Sequence, residues 1–439
     1  MKPTHRSSHR PPSVAPAAPP PGPNAARLAE AASALTRVLT FEYPADAVLS
    51  RYFRDRHALE QHDRAFVAEA VFGVLRRKLL LDHLAPQATP RQLVLLWLAR
   101  VAGFSGRELA AICTTAEKDW LNATRAQASA DTPLHVEADL PQWVTERLQR
   151  QHDDDFVRML GRALQEQAPL DLRVNTLLAK RDEVLARLNA DGIEAAPTPW
   201  SPVGIRVQGR PSLNRHPLFT GGAIEVQDES SQLLGYLLAP RRSDLVVDFC
   251  AGAGGKTLML GAMMNSQGRL YAFDVSAKRL ASLKPRLKRS GLSNLHPLVI
   301  AHENDTKVKR LAGKIDRVLV DAPCSGLGTL RRNPDLKFRQ SPQSVAELVQ
   351  KQTAILKAAA RMVRPGGRLV YATCSVLTEE NQEVVSAFLA AHGEFKALNC
   401  GELLEHQGIS LACGDQMQLW PHIHRTDGFF AAAMERSGG

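Results

Sequence analysis

The sequence predicts an α/β protein whose C-terminal half is a doubly wound, Rossmann-like domain with a mostly parallel sheet. Two observations carry this prediction. Apolar runs of strand length, such as "DRVLVDAP" and "GRLVYATCS", alternate with helix-like stretches, a pattern typical of parallel strands that are covered on both faces. A glycine-rich turn directly follows the run "DLVVDFC", and glycine there allows a tight turn and a close approach of ligand to backbone.

Four segments are expected in chain order. Residues 1–27 form a disordered, basic, proline-rich tail, because a polar stretch of this kind cannot fill a core. Residues 28–160 place apolar side chains at helical spacing, as in "DRAFVAEAVFGVLRR", and form an all-α domain. Residues 161–235 alternate strand-like "LDLRVNT" with helix-like "KRDEVLARLNADG" and form a small α/β module. Residues 236–439 form the Rossmann-like domain.

Composition argues against several classes of protein. The 439 residues include six cysteines and no C-x-x-C pair, which disfavours a disulfide framework and a structural zinc site. The sequence shows no apolar run of membrane length and no secretory leader, so a cytoplasmic protein without a membrane segment is expected. Nothing in it requires a second chain, and a monomer is expected.

Positive charge is concentrated in two places. The formal net charge is +10, and the stretch 269–339 holds 16 Lys and Arg against 6 Asp and Glu. The tail adds four more cations before the first acidic residue, Glu30. Neutralising the phosphates of a polyanion releases counterions, so this distribution predicts a nucleic acid as partner.

The glycine-rich turn predicts a nucleoside-binding loop rather than a triphosphate-binding loop. A Walker A motif would need glycine where the sequence has Cys250, which disfavours an ATPase. Asp274 closes the next apolar run, 22 residues after Gly252, and a carboxylate there can accept hydrogen bonds from both ribose hydroxyls. These features alone do not distinguish between a nicotinamide cofactor and S-adenosylmethionine as the ligand of this loop. The turn consists of Cys250, Ala251, Gly252, Ala253, Gly254, Gly255 and Lys256.

Two cysteines close later strands of the same predicted sheet. Asp321 and Cys324 follow one apolar run, and Cys374 follows another, fifty residues after Cys324. Singly, each cysteine is better explained as a small core residue. As a pair beside Asp321 at one edge of the sheet, they indicate thiolate chemistry.

The segments "CAGAGGKT", "AFD", "DAPCSG", "RRNPDLKFR" and "YATCSVLTEEN" occur in this order. With these segments the chain resembles the RNA cytosine-5 methyltransferases. Within that family it most resembles the bacterial ribosomal RNA small subunit methyltransferase B group, which belongs to the RsmB/NOP class and is also called Sun or Fmu. The resemblance covers Arg173 to Arg436, and the helical segment resembles that group's NusB-like RNA-binding domain. It implies a class I methyltransferase domain, S-adenosylmethionine as cofactor, and RNA as substrate, with ribosomal RNA as the expected kind.

The resemblance also implies a role for each site residue. In the family, the cysteine of the T-C-S motif, here Cys374, adds to carbon 6 of cytosine, and the cysteine of the P-C-S motif, here Cys324, helps to release the product. Asp321 would hydrogen-bond the edge of the cytosine ring and contact the cofactor. Residues 250–256 and Asp274 would hold S-adenosylmethionine.

Several positions depart from the family pattern. The cofactor loop reads "AGAGGKT" where the family has A-P-G-G-K-T, and "AHEND" stands where the family often has a G-D pair. We expect Asp305, rather than Glu303, to contact the cofactor. Lys256 would position Asp321. The segment around Cys400 and Cys413 differs enough to leave the target cytosine open, and those two cysteines are expected to be structural.

A cluster of basic residues follows the Cys324 loop. A target base must leave its stack to reach a thiolate, and RNA is typically recognised in loops and single strands. We therefore expect this cluster to clamp phosphates beside the unstacked base. Its members are Arg331, Arg332, Lys337 and Arg339.

Three other functions are compatible with parts of this pattern. A DNA cytosine-5 methyltransferase would use Cys324 as the nucleophile and leave Cys374 without a role. A tRNA cytosine-5 methyltransferase is an alternative, because the sequence does not say which RNA is modified. A non-catalytic RNA-binding assembly factor would keep the scaffold, but the intact Asp321, Cys324 and Cys374 argue against it.

Overall fold

The computed structural model of the chain describes residues 22–126 and 132–438. Most of the predicted tail, residues 1–21, lies outside the described residues. Its predicted end at residue 27 is too late, because a helix begins at Ala25, where the Asn24 side chain accepts a hydrogen bond from the Arg27 backbone. Within the described ranges, no helix is long and apolar enough to cross a membrane.

Up to residue 165, the described chain contains helices and no strand. These helices are α1 (Ala25–Val38), α2 (Ala45–Asp55), α3 (Gln61–Arg76), α4 (Lys78–Leu84), α5 (Pro90–Arg100), α6 (Gly106–Ala110), α7 (Thr115–Ala126), α8 (Leu134–Glu137), α9 (Gln142–Leu148) and α10 (Asp154–Gln165). Helices α1, α3 and α5 share one apolar core, which includes Leu28, Val67 and Leu95. The likeness of this region to a NusB-like domain stays a prediction.

Helices α8 to α10 pack away from that core. Val144 and Leu160 belong to a separate apolar cluster with Leu327 and Val376, which lie in turns near the end of the chain's parallel strands. The last helices before the first strand therefore attach the helical region to the Rossmann-like domain.

A small antiparallel sheet comes next. Its strands are β1 (Leu170–Val174), β2 (Ala195–Pro197), β3 (Gly204–Val207) and β4 (Ile224–Val226), with helices α11 (Arg181–Ala190) and α12 (Pro217–Thr220). The strand order is β2-β3-β1-β4. Leu172, Ile205 and Ile224 are buried against Leu188 of α11, so the module has its own small core.

The large sheet fills the C-terminal half. Its strands are β5 (Leu245–Asp248), β6 (Arg269–Asp274), β7 (Leu295–Val299), β8 (Ile315–Asp321), β9 (Val363–Thr373), β10 (Phe395–Leu398), β11 (Gln416–Leu419) and β12 (Phe429–Arg436). The order is β10-β12-β9-β8-β5-β6-β7, with β11 paired to β12. Strands β5 to β9 pair in parallel, and β12 pairs antiparallel to β9 and β10.

Helices cover both faces of this sheet. They are α13 (Glu229–Leu238), α14 (Gly255–Met263), α15 (Ala277–Ser290), α16 (Thr306–Lys309), α17 (Leu336–Arg339), α18 (Pro342–Ala360), α19 (Gln382–Ala391), α20 (Cys400–Glu405) and α21 (Pro421–His424), with 3₁₀ turns at Leu327–Thr329 and Thr378–Glu380. Neighbouring residues of β5 point to opposite cores: Val246 packs with Leu270 and Leu319, and Val247 with Phe273. The predicted doubly wound α/β domain is confirmed.

The strand order also locates a binding crevice. Chain order runs from β5 through β6 to β7 in one direction and from β8 to β9 in the other. Ligands of open α/β sheets bind outside the carboxyl ends of the strands at such a reversal point. The ends of β5, β6, β8 and β9 are therefore where a site is expected.

Candidate active site

A cavity of about 530 Å³ lies at this reversal point. It is lined by the β5–α14 loop, by the carboxyl ends of β6, β8 and β9, and by one face of α18. Of the residues predicted to form the site, ten line it and two, Gly254 and Asp305, do not. Those that line it are Cys250, Ala251, Gly252, Ala253, Gly255, Lys256, Asp274, Asp321, Cys324 and Cys374.

The β5–α14 loop folds as a cradle because two of its glycines have positive φ. Gly252 has φ 57°, and a Cβ added there would meet no atom within 4 Å, so space is open where a ligand would lie. Gly254 has φ 83°, and a Cβ there would lie 2.2 Å from Leu283. Gly254 thus serves the packing of the loop, whereas Gly252 leaves its cavity side free.

Two buried carboxylates lie beneath the cradle. Asp274, at the end of β6, accepts hydrogen bonds from the backbone of Gly252 at 2.8 Å and of Ser276 at 2.7 Å. Asp248, at the end of β5, accepts one from Thr257 Oγ1 at 2.6 Å, and its other oxygen, Oδ1, is buried without a partner. Burial raises the pKa of Asp248 to about 7, and the Thr257 hydrogen bond opposes this.

This donor and acceptor set fits S-adenosylmethionine. Asp274 ends the strand after the cradle, where a ribose diol is held in such folds. The unpartnered Asp248 oxygen offers an acceptor for an amino group, since buried polar atoms normally have a partner. A cavity of 530 Å³ is within the range of about 300–1,000 Å³ that small-molecule sites occupy.

The expectation that Asp305 contacts the cofactor finds no support. Asp305 caps α16 and accepts hydrogen bonds from the backbone of Ala301 at 2.8 Å and of Lys307 at 2.9 Å. These backbone hydrogen bonds lower its pKa. Glu303 lines the cavity instead. The spacing of "AHEND" could not separate the two, because the loop turns between them.

The two cysteines at the strand ends meet. Cys324 Sγ lies 3.3 Å from Cys374 Sγ, and both are free thiols that are partly exposed to the cavity. The hydrogen bond between them and burial raise the pKa of the Cys324 thiol well above its usual value. The raised pKa favours the protonated form of Cys324.

Lys256 and Asp321 lie beside the sulfur pair. Lys256 Nζ is 2.7 Å from Asp321 Oδ2 and 5.5 Å from the centre of the Phe429 ring. Burial lowers the pKa of Lys256, but the Asp321 carboxylate outweighs this and raises it. The lysine is thus bound to a carboxylate, which further disfavours a phosphate-binding loop. We call Asp321, Lys256, Cys324 and Cys374 the cavity group.

The basic cluster after the Cys324 loop was predicted to face RNA, but two of its four residues are buried within the chain. Lys337 is 3% exposed, and its Nζ donates to Asp139 Oδ1 at 2.8 Å and to the Arg76 carbonyl at 3.0 Å. Arg331 is 5% exposed and donates to the Thr426 carbonyl at 2.9 Å. Neither can clamp a phosphate, so the prediction is wrong for both.

The remaining two residues of the cluster are also paired within the chain. Arg332 contacts Asp427 at 2.6 Å and Asp228 at 2.8 Å. Arg339 lies 3.5 Å from Asp335 and keeps 25% of its side chain exposed. We call two of these contacts, Lys337–Asp139 and Arg332 with Asp228 and Asp427, the internal ties, because each joins segments far apart in sequence.

Several residues that line the cavity were missed by the sequence interpretation. Arg286 binds Glu225 at 2.8 Å and the Ala253 carbonyl at 2.7 Å, so it braces the cradle from α15. Its only signal in the sequence was membership of a basic stretch. The missed residues with a charged or amide side chain are Gln227, Arg279, Arg286 and Lys351.

Comparison with known proteins identifies relatives along most of the chain. The family model "16S rRNA methyltransferase RsmB/F" matches residues 235–435, and the ferredoxin-like domain of RsmF/B-like methyltransferases matches residues 140–214. The probable ribosomal RNA small subunit methyltransferase B of Synechocystis sp. is 31% identical over 420 residues, which cover 87% of this chain and 93% of the relative. Ribosomal RNA small subunit methyltransferase B of Sodalis glossinidius is 32% identical, over 86% of this chain and 90% of the relative. Among solved structures, the crystal structure of PH0851 superposes on 95% of this chain and 100% of its own, with a TM-score of 0.76 and a sequence identity of 26%.

Proposed function

Since the chain belongs to the RsmB/F family of 16S rRNA methyltransferases, we propose that it methylates small-subunit ribosomal RNA through a covalent bond between Cys374 and the target cytosine. It is an S-adenosylmethionine-dependent RNA cytosine-5 methyltransferase. The observation that supports the covalent mechanism is the pair of thiols 3.3 Å apart at the wall of one cavity. A single nucleophile would not need the second sulfur.

The cradle and the carboxylates beneath it are the proposed cofactor site. Residues 250–256 would surround the ligand, Asp274 would accept hydrogen bonds from its ribose hydroxyls, and Glu303 lies on the same wall. S-adenosylmethionine, when bound, supplies the methyl group that carbon 5 takes. The Asp248 oxygen without a partner would accept from the ligand's amino group.

Cys374 would carry out the addition step. The Cys374 thiol gives its proton to solvent, and its sulfur forms a bond to carbon 6 of the cytosine. The electron pair of the C5–C6 double bond moves toward carbon 5, which then becomes nucleophilic. The Lys256 ammonium lines the same cavity as Cys374 and is held there by Asp321 at 2.7 Å. Asp321 would hold the ring edge where charge develops, an electrostatic role.

Cys324 would act after the methyl group has been transferred. Once Cys374 is bonded to carbon, the hydrogen bond between the two sulfurs is lost, and the Cys324 proton can pass to solvent. The Cys324 thiolate then takes the proton from carbon 5, the bond between carbon 6 and sulfur breaks, and Cys374 leaves as a thiolate. The C5–C6 double bond is restored in the methylated base.

Two variants test this assignment. Cys374→Ala should abolish methyl transfer to a small-subunit RNA transcript. Cys324→Ala should accumulate a protein–RNA adduct that survives a denaturing gel, because release is blocked after the bond has formed. An adduct in the Cys374 variant and none in the Cys324 variant would reverse the two roles.

The substrate is tested separately. Bisulfite sequencing of ribosomal and transfer RNA from a strain that lacks the gene should show one unprotected cytosine in the small-subunit RNA. A lost methyl group in transfer RNA alone would redirect the proposal to a tRNA methyltransferase.

A further inference from the structure

Glu380 is a buried carboxylate that neither the cofactor site nor the proposed chemistry uses. It ends the 3₁₀ turn after the Cys374 loop, is 0% exposed, and does not line the cavity. A charged group of this kind is rarely buried without a full set of partners. Its partners therefore indicate what it does.

Both oxygens of Glu380 bind the loops that carry the two cysteines. Oε1 accepts from the Ser325 backbone at 2.8 Å, and Oε2 accepts from Ser325 Oγ at 2.5 Å. Oε2 also accepts from Ser375 Oγ. Ser325 follows Cys324 directly and Ser375 follows Cys374 directly, so one carboxylate holds the residue after each cysteine.

A third element anchors the carboxylate itself. Gln352 of α18 donates its Nε2 to Glu380 Oε1 at 2.9 Å and to the Pro323 carbonyl at 3.0 Å. The Tyr371 hydroxyl donates to the Glu380 backbone carbonyl at 2.7 Å. Gln352 and Glu380 are both 0% exposed, so the loops are attached to a rigid part of the fold and water does not compete.

We propose that Glu380 is a positioning residue that keeps the Cys324 and Cys374 sulfur atoms at reacting distance. The inference rests on the proposed function, in which the two sulfurs act in succession on one base. Charge-assisted hydrogen bonds from two loops to one acceptor fix the loops relative to each other. Displacing a reacting group by about 1 Å can lower the reaction rate about a hundredfold. A network that fixes the two sulfur atoms can therefore have a large effect on catalysis.

Glu380→Gln tests the proposal with little change of shape. The amide keeps one acceptor oxygen and presents an NH₂ where a donor now binds, so one of the two loops loses its partner. We expect kcat to fall about 10- to 100-fold, with KM for both substrates within about twofold of wild type because Glu380 touches neither. The matched control is Glu379→Gln, whose carboxylate binds Arg147 at 3.0 Å instead of the loops, and which should behave as wild type.

A second measurement reports the sulfur spacing without catalysis. Phenylarsine oxide joins two close thiols through a single arsenic atom, with loss of one water. The wild type and the Glu379→Gln control should bind it across Cys324 and Cys374, as located by mass spectrometry. Glu380→Gln should bind about tenfold more weakly if one charged hydrogen bond of the network is lost.

The outcomes separate this inference from the proposed function. Wild-type kcat and wild-type arsenical binding in Glu380→Gln would overturn the positioning role. If Cys374→Ala stayed active, the covalent mechanism would fail, yet the arsenical comparison would still test Glu380. Should Glu380→Gln not fold, Ser375→Ala removes a single donor, and unchanged kcat and arsenical binding in that variant would overturn the inference equally.

Discussion

The cavity group and the internal ties contain similar side chains in different surroundings. In the internal ties, each cation meets carboxylates from a distant segment, and Asp139 and Lys337 are almost completely buried. In the cavity group, Lys256 and Asp321 keep 16% and 27% of their side chains exposed, facing the cavity.

The difference separates charge that stabilises the fold from charge that serves chemistry. A buried cation with its partners satisfied is costly to remove, because the partner is left without compensation. A charged group at a cavity wall has atoms that a ligand can contact, and such groups are candidates for a functional role. Lys337 and Lys256 are both lysines next to an aspartate, so their type does not distinguish them, whereas their surroundings do.

The largest effect is expected from Lys337→Met. This change removes the cation 2.8 Å from the buried Asp139 carboxylate and leaves only Arg77, at 3.9 Å. Breaking a buried pair costs about 3–5 kcal/mol. Guanidinium unfolding should show the loss as a lower midpoint. Lys357→Met, at an exposed position on α18, is the control and should change stability by less than about 0.5 kcal/mol. A Lys337 variant as stable as this control would remove the distinction between the two groups.

Asp321→Asn should have the opposite profile. It removes a charge from the cavity wall, and loss of one group that stabilises a transition state typically lowers kcat by about 10²- to 10³-fold. The unfolding midpoint should fall less than in Lys337→Met, because both side chains of this pair are partly exposed and asparagine keeps an oxygen beside Lys256. Lys256→Met should lower kcat as well, and the double variant should lose less than the product of the two single effects, because the pair acts as a unit. If the two single effects multiplied in the double variant, Lys256 and Asp321 would not act as a unit in catalysis, in spite of their 2.7 Å contact.

The sequence predicted those parts of the site whose positions depend only on the spacing of strands along the chain. Cys324 and Cys374 were placed at one edge because parallel strands bring their carboxyl ends together, and the sulfurs lie 3.3 Å apart. It failed for Lys337, since a basic residue near a catalytic loop looks the same whether it faces solvent or a distant aspartate. Asp139 is 198 residues away, and no local pattern contains that contact.

Glu303 and Asp305 show a second limit. Both follow the same strand, and the choice between them depends on how a loop of a few residues turns. Asp305 is used by its own loop as the cap of α16, a role that its sequence neighbourhood did not reveal. The helical region and the alternation of strands with helices, in contrast, follow from periodicity over many residues, which averages out such local choices.

The pH dependence of stability tests the raised pKa of Asp248, which lies beneath the cradle. Burial raises the pKa of Asp248 to about 7, from an unfolded value of about 3.9. Its stabilising contribution is therefore complete below the unfolded pKa and is lost as pH rises through about 7. Each pH unit within this window should cost up to about 1.4 kcal/mol. Urea unfolding from pH 5 to 8 should show this decline in the wild type and a flatter profile in Asp248→Asn; parallel profiles would contradict the raised pKa.

Arg339→Ala is expected to have the smallest effect on stability, and it decides whether any member of the basic cluster reaches RNA. Arg339 is a quarter exposed, and its contact with Asp335 is 3.5 Å long, so its loss should cost less than about 1 kcal/mol. If it contacts a phosphate, the logarithm of RNA affinity should depend less steeply on the logarithm of salt concentration, by about 0.7 for a single-stranded site. An unchanged slope would mean that all four cations of the cluster serve the fold, and that the RNA-binding charge of this chain lies on other surfaces.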